Sequence, residues 1–104
     1  MNDAIQRISL TAEQFGDKVL DYEDLNTDVI VRFANGDEYI ATFFSFKNLE
    51  AMIGAHKQSE AAVSDQYYKI LNAVIVNDFN HGDLRPVIEH MMVEGDFQLI
   101  FQRV

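Results

Sequence analysis

The sequence predicts an α+β domain in which helices pack on a mostly antiparallel sheet. The length of 104 residues is typical of a single domain, and an apolar fraction of 48% with eight phenylalanines supports a folded core. Residues 28–46 have the pattern of a β-hairpin, and later strand-like runs alternate with segments of helical periodicity. Together these observations predict the element order α-β-β-α-β-α-β in one domain over residues 1–104.

The first predicted element is a short helix within residues 10–22. Thr11 is a candidate N-cap, and Gln14 follows three residues later, which is the spacing of a capping box. An apolar stripe at helical spacing follows: Phe15, Val19 and Tyr22. Two earlier apolar residues are assigned to a preceding turn or a frayed terminus, namely Ile5 and Ile8.

The strongest signal is the hairpin. Two β-rich runs flank Asn35-Gly36, a favoured hairpin turn. A two-residue loop would pair Ala34 with Asp37, whereas a three-residue loop with a left-handed Gly36 would pair Phe33 with Asp37. We expect the second register because it separates polar from apolar side chains better. One face then carries Val29, Val31, Phe33, Tyr39, Ala41 and Phe43. The second face carries Arg32, Glu38 and Thr42 with Ile30, Ile40 and Phe44, and we expect another element to cover it.

The middle of the chain predicts a helix, a loop and a strand. Residues 46–58 have an amphipathic pattern with Ser45 as the candidate cap and with a stripe of Leu49, Met52, Ile53 and His56. Residues 59–66 are assigned to a loop or to a frayed continuation of the helix. Residues 67–78 are nearly continuous in apolar residues from Leu71 onward, which favours a strand buried on both faces in the centre of the sheet.

The last two predicted elements are a helix over residues 83–94 and a strand over residues 97–103. Asp83 is placed at the N-cap, Pro86 in the first turn, and Gly95 just past the helix end. The predicted buried stripe of this helix is Leu84, Val87, Ile88 and Met91. In the final strand the apolar residues alternate with polar ones, and they are Phe97, Leu99 and Phe101.

The charge balance excludes some classes of function. Seventeen acidic residues oppose eight basic ones, which gives a net charge of −9. Nucleic-acid binding depends on cationic contacts to phosphate, so we do not expect it. An acidic chain can instead attract a basic protein partner. The candidate partner-binding residues are Asp21, Glu23, Asp24 and Asp28 in the segment before and at the start of the hairpin, with Asp37 and Glu38 at the hairpin tip.

Other sequence features limit the chemistry and the location. The chain has no cysteine, so it forms no disulfide and has no thiolate ligand or nucleophile. The first residues lack the pattern of a signal peptide, and no run approaches the about 20 apolar residues of a membrane helix. We therefore expect a soluble, cytoplasmic protein that does not contact a membrane.

Residues 76–96 concentrate histidines and acidic residues, but they do not predict a metal site. The candidate ligands are His81, Asp83, His90 and Glu94, and no paired-ligand motif such as HExxH joins them. Two of them, Asp83 and His90, are seven residues apart on the predicted helix, about 10 Å along its axis. We expect His90 to pair with Glu94 at the surface. No motif predicts a metal, a cofactor or a catalytic residue, and none is specific enough to assign a family.

Two functional hypotheses follow. The first is a small, acidic, non-enzymatic protein-interaction domain that inhibits a basic partner. Bacterial immunity proteins, which neutralise toxin nucleases, have a similar size and charge. The analogy rests on those two properties alone. The alternative is a small-ligand-binding domain or simple enzyme with an aromatic and methionine-lined cleft that uses His56 or His90. A homodimer formed through the hairpin face or an edge strand is compatible with both.

Overall fold

The structure, a computed structural model, describes residues 4–14, 19–57, 73–79 and 84–104, and for residues 55–57 it describes the backbone alone. The strands are β1 (Ile5–Leu10), β2 (Asn26–Phe33), β3 (Glu38–Ser45), β4 (Ala73–Val76) and β5 (Gln102–Arg103). The helices are α1 (Phe46–Lys57), α2 (Arg85–Glu94) and α3 (Phe97–Ile100), and a 3-10 turn spans Thr11–Gln14. The predicted α+β class is confirmed.

The sheet is built around the hairpin of β2 and β3. β1 pairs with β2, β2 with β3, and β5 with β3, all antiparallel, whereas β4 pairs parallel to β3. β4 and β5 share one edge of β3: β4 pairs with Thr42–Ser45, and β5 pairs with Tyr39–Ile40. A sheet that is antiparallel except for one pair agrees with the predicted architecture.

The hairpin register is the one that the sequence predicted. Phe33 N donates to Asp37 O at 2.9 Å, and Gly36 N donates to Phe33 O at 2.9 Å, so the loop is Ala34–Gly36. Gly36 has φ of 94°, a left-handed conformation that glycine adopts without strain. The predicted core face is confirmed: Val29, Val31, Phe33, Ala41 and Phe43 are buried, and Tyr39 packs against them.

The N-terminal prediction was wrong. Residues 5–10 form a strand rather than a turn, and helical geometry is confined to the 3-10 turn after Leu10. Within the predicted helix, residues 15–18 lie outside the described residues, and residues 19–22 are not helical. The register of β1 against β2 shifts between Ile5 and Arg7, which marks a β-bulge. A bulge adds one residue to one strand and so breaks the alternation that identifies strands in a sequence.

The core lies between the buried face of the sheet and the helices α2 and α3. Leu84, Ile88 and Met91 contribute from α2 and the residue before it, and they pack with the strand residues in one cluster. The predicted helix stripe is therefore largely confirmed, but Val87 is exposed. α2 begins later than predicted, with Leu84 at the N-cap and no side-chain cap, and Asp83 lies outside the described residues. Pro86 in the first turn and a left-handed Gly95 at the end agree with the prediction.

The predicted strand over residues 97–103 was mostly wrong. Residues 97–100 form one turn of helix, and only Gln102–Arg103 pair as a strand. Phe97 and Phe101 are both buried, and their rings stack with centroids 4.4 Å apart, whereas the Leu99 side chain is 75% exposed. Burial at i and i+4 with exposure at i+2 is the pattern of a helix, although the same three apolar residues also fit a strand.

The remaining two elements are the helix α1 and the strand β4. Ser45 caps α1 as predicted, because its Oγ accepts a hydrogen bond from Asn48 N at 3.2 Å. α1 contacts the second face of the hairpin at Asn26, whose Nδ2 donates to Asn48 Oδ1 at 3.0 Å. The predicted burial of the fourth strand on both faces was wrong, since Ile75 is 47% exposed and β4 pairs only with β3 among the described strands. Residues 58–72 lie outside the described residues, and with them the predicted loop over 59–66.

None of the helices in the described ranges has the length and apolarity needed to cross a membrane.

Candidate functional site

The acidic segment of residues 21–25, called the connector below, is a turn that the side chain of Asp21 stabilises. Asp21 O accepts a hydrogen bond from Asp24 N at 3.0 Å, and Asp21 Oδ1 accepts one from Glu23 N at 3.0 Å. The second bond is an Asx-turn, in which a short carboxylate side chain bonds the backbone two residues later. The connector is therefore a defined turn.

Hydrogen bonds to three other parts of the chain fix the position of the connector. Leu25 N donates to Ser45 Oγ at 3.0 Å, and Ser45 N donates to Leu25 O at 2.9 Å. Asp24 Oδ1 accepts from Asn48 Nδ2 on α1 at 2.9 Å. A further bond runs from Phe79 N, just after β4, to Tyr22 O at 2.7 Å. Because its backbone is bonded at Tyr22 and at Leu25, the connector has a defined backbone position in the fold.

The carboxylates of the connector differ in exposure. Asp21 and Glu23 are exposed, and Asp24 is half-buried against α1. Tyr22 lies between them, and its hydroxyl donates to Glu13 Oε2 at 2.7 Å. This hydrogen bond to the Glu13 carboxylate is the main reason that the pKa of Tyr22 is raised, and desolvation and the negative charge of Glu13 raise it further. Glu13 thus extends the acidic surface beside the connector.

The other two predicted acidic residues lie at the opposite end of the hairpin. Asp37 Oδ1 is 2.9 Å from Arg103 Nη2, and Glu38 lies opposite Arg32 in the hairpin. Asp37 is eight residue steps along the hairpin from Ser45, where the connector meets β3, or about 27 Å. The structure therefore brings Asp21, Glu23 and Asp24 together and places Asp37 and Glu38 apart from them, each beside an arginine.

Asp28 lies next to the connector on β2 and lines a cavity. Its Oδ1 accepts a hydrogen bond from Thr42 Oγ1 at 2.9 Å, directly across the hairpin. The cavity has a volume of about 380 Å³, and the described residues that line it are Thr11, Ala12, Leu20, Leu25, Asn26, Thr27, Asp28 and Thr42. Asp28 is thus half-buried and lies in the lining of a concave site.

Of the three histidines, only His90 has a side chain that the structure describes. His90 is exposed on α2, and its Nε2 lies 3.5 Å from Glu94 Oε1, as predicted. His90 is not a lining residue of the 380 Å³ cavity, nor of a second cavity of about 130 Å³ formed by Met92, Gly95, Phe97 and Gln98. The side chain of His56 lies outside the described residues, as does His81. Within the described ranges no three histidine or acidic side chains are grouped closely enough to hold a metal ion.

Sequence reasoning identified the acidic connector but missed the threonines of the larger cavity. The expected hairpin register already pairs Asp28 with Thr42, and this pairing was the available signal. The contribution of Thr11 depends on where β1 ends, and that strand was not predicted. Comparison of the chain with models of protein families, with curated proteins and with solved structures found no match.

Proposed function

We propose that this chain is a non-enzymatic protein-binding domain whose connector binds a basic protein partner. The observation that carries the proposal is the exposure of the Asp21 and Glu23 side chains on a turn whose backbone is fixed by hydrogen bonds. A charged surface that is already ordered loses little conformational freedom when a partner binds. The connector therefore has the charge and the preorganisation that a protein-binding surface requires.

The net charge supports the same proposal. With a formal charge of −9, the chain attracts a cationic protein over distances of about one Debye length, roughly 8 Å at physiological salt. Such steering raises the association rate more than it raises the final affinity. The half-buried Asp24 and the nearby Glu13 add to the negative potential around Asp21 and Glu23.

An inhibitor of a cationic enzyme is the kind of function that this surface would serve. Carboxylates on the connector would cover cationic residues on the partner, and the partner's substrate site would be blocked by charge and by bulk. A toxin nuclease is one such partner, because enzymes that bind nucleic acid carry positive surfaces. The analogy with immunity proteins rests on size and charge, so the class of partner is part of the proposal.

The test is capture of partners from a native lysate by the tagged chain at low and at high salt, with bound proteins identified by mass spectrometry. We expect one stoichiometric basic protein that is retained at low salt and released at high salt. The variant Asp21→Lys/Glu23→Lys should lose it. The purified partner should then associate more slowly with the variant in stopped-flow measurements, and most strongly so at low salt.

The matched control is Glu89→Lys/Glu94→Lys, which makes the same change in net charge on the exposed side of α2. A lysine near the C-terminus of a helix is favoured by the helix dipole, so this control should fold. If the control loses the partner as completely as the connector variant does, the net charge and not the connector is responsible. Retention of the partner by the connector variant would refute the proposal.

The alternative hypothesis of a small-ligand cleft at His56 or His90 stays a prediction. His90 does not line the 380 Å³ cavity or the 130 Å³ cavity. A thermal-shift screen against a metabolite library checks the hypothesis. A ligand that raises the melting temperature of the parent chain, and loses that effect in His56→Ala or His90→Ala, would support it.

A further inference from the structure

The 380 Å³ cavity, called the Asp28 cavity below, forms where β1 leaves the sheet. The pairing of β1 with β2 ends at Leu10 and Val29, and the chain then turns into the 3-10 turn. Residues 26–28 of β2 therefore have no β1 neighbour. The turn instead reaches over β2 through a hydrogen bond from Ala12 N to Thr27 Oγ1 at 3.0 Å. The space between the turn and β2 is the cavity.

The three threonine hydroxyls in the described lining of the Asp28 cavity direct their protons to acceptors within the protein. Thr42 Oγ1 donates to Asp28 Oδ1 at 2.9 Å, and Thr27 Oγ1 donates to Asp28 O at 3.2 Å. Thr11 Oγ1 lies 3.3 Å from Thr27 Oγ1 and 3.4 Å from Asp28 O, and either one can accept its proton. A threonine hydroxyl has one proton and two lone pairs. These three hydroxyls therefore offer only lone pairs to a ligand.

The other two polar side chains of the described lining have the same character. The Asn26 side chain directs its Nδ2 toward α1, where it donates to Asn48 Oδ1 at 3.0 Å. An ionised carboxylate only accepts hydrogen bonds, and Thr42 occupies one oxygen of Asp28. The other oxygen, Oδ2, has no hydrogen-bond partner among the described residues. The described lining thus combines a negative charge, hydrogen-bond acceptors and the apolar side chains of Leu20 and Leu25.

We infer that the Asp28 cavity binds a cationic N–H donor, a primary ammonium or a guanidinium group, with Asp28 as its anchoring residue. Such a group supplies the protons that the described side chains of the lining do not offer, and the positive charge that the carboxylate requires, and hydrogen bonds between charged partners are stronger than neutral ones. Leu20 and Leu25 would contact the methylene groups that carry the cation. A volume of about 380 Å³ is at the small end of ligand sites, which range over roughly 300–1,000 Å³.

The group can come from a free small amine or from a lysine or arginine side chain of a polypeptide, and the recognition chemistry is the same. Binding in the cavity does not depend on the proposed function of the connector, because it uses a different carboxylate. A basic partner that binds the connector is compatible with a cavity that takes one of its side chains, and it is equally compatible with a cavity that takes a free amine.

The experiment is an NMR titration of the full ¹⁵N-labelled chain with four probes. Three of the probes are cations. Two of these are free amines, n-butylamine and agmatine, and the third is a capped lysine residue, N-acetyl-lysine-methylamide. The fourth is a neutral analogue, N-acetyl-norleucine-methylamide, which keeps a butyl side chain but has no ammonium group. We expect saturable shifts for the cationic probes at the amides of residues 11–12, 25–28 and 42, and no saturable shifts for the neutral analogue.

Asp28→Asn tests the anchor with the smallest change in shape. The amide oxygen can still accept from Thr42, whereas the NH₂ group then presents protons to the ligand, so binding of the cations should weaken on the order of tenfold or more. Glu89→Gln removes one negative charge from α2 and should leave the affinity unchanged. If Asp28→Asn does not fold, the difference in binding between the cationic probes and the norleucine probe in the parent chain is sufficient to decide.

Each result bears on the inference. Equal binding of the neutral analogue, equal binding by Asp28→Asn, or shifts spread over the acidic surface instead of the cavity would overturn it, as would no saturable binding of any probe. Binding of the capped lysine at least as tightly as n-butylamine would support the cavity and identify a polypeptide side chain as the source. Binding confined to the free amines would support the cavity and identify a small molecule.

Discussion

Leu25 and Ser45 exchange two hydrogen bonds: Leu25 N donates to Ser45 Oγ at 3.0 Å, and Ser45 N donates to Leu25 O at 2.9 Å. The same Oγ also accepts from Asn48 N and so caps α1. Ser45 is completely buried. One hydroxyl oxygen therefore holds together the end of the connector, the end of β3 and the start of α1.

Ser45→Ala should lower the free energy of unfolding by about 2–4 kcal/mol. The substitution removes an N-cap, which contributes about 1 kcal/mol, and it leaves Leu25 N without its acceptor, which costs about 1–3 kcal/mol more. Urea denaturation of the variant and the parent measures the difference. Ser9→Ala on β1 is the control and should change stability by less than about 0.5 kcal/mol. Equal losses in the two variants would contradict the role of Ser45.

Phe97→Ala should destabilise the chain by about 3–5 kcal/mol, because it leaves a cavity in the core and removes the ring that stacks on Phe101. Leu99→Ala is its control. The Leu99 side chain is exposed, so its removal should cost less than about 0.5 kcal/mol. If residues 97–101 formed a strand with all three apolar residues on one face, the two substitutions would cost similar amounts. Thermal or urea unfolding distinguishes these outcomes.

Two glycine-to-alanine substitutions should change the free energy of unfolding in opposite directions. Gly95 ends α2 with φ of 81°, where an L side chain is strained, so Gly95→Ala should destabilise by about 1 kcal/mol. Gly54 lies within α1, and an added methyl group would meet no atom within 4 Å. Gly54→Ala should therefore stabilise the chain by about 0.5–1 kcal/mol through its higher helix propensity. If urea denaturation showed that both substitutions stabilise or both destabilise the chain, one of the two backbone conformations would be wrong.

The Tyr22 hydroxyl should ionise at a higher pH than an ordinary tyrosine. The largest cause is its hydrogen bond to Glu13, which favours the neutral phenol and so raises the pKa of Tyr22. A pKa that is raised in the folded state gives stability that is fully present below the pKa of the unfolded chain, and it is lost as the pH rises through the folded pKa. NMR titration of ¹³C-labelled tyrosine measures the shift. Glu13→Gln should move the pKa back toward its usual value, and an unchanged pKa would contradict the contact.

The hairpin could be predicted because two independent signals agree on one register. Asn35-Gly36 marks the turn, and only the three-residue loop places the polar residues of both strands on the same face. Burial then follows from the register, since a shift by one residue would turn every side chain of a strand to the other face. This is why the expected core face appeared in the structure residue for residue.

The two ends of the chain could not be predicted from periodicity. The bulge in β1 spaces its core-facing residues unevenly, at Ile5, Ile8 and Leu10, so the alternation of a strand is hidden. At residues 97–101 the spacing of three apolar residues fits a strand, and the packing of Phe97 on Phe33 and of Phe101 on Phe43 favours a helical turn instead. Both cases depend on contacts with residues distant in the sequence, which local patterns do not contain.

The candidate site was partly accessible to sequence reasoning. The acidic composition of the connector is visible in the sequence, but its fixed position depends on hydrogen bonds to Ser45, Asn48 and Phe79. The grouping of six carboxylates into one surface was only a hypothesis. The structure places Asp37 and Glu38 at the far end of the hairpin, and the Asp37 carboxylate is paired with Arg103 there.

The positions of Ala4 and Val104 have a practical consequence for binding measurements. Ala4 O accepts from Ala34 N, and Val104 N donates to Glu38 O, both at 2.9 Å, so these two residues lie on either side of the hairpin tip. The connector lies at the other end of the hairpin, about 27 Å away. A tether attached beside either residue would fix the molecule to a sensor surface by its tip and leave the connector facing the solution.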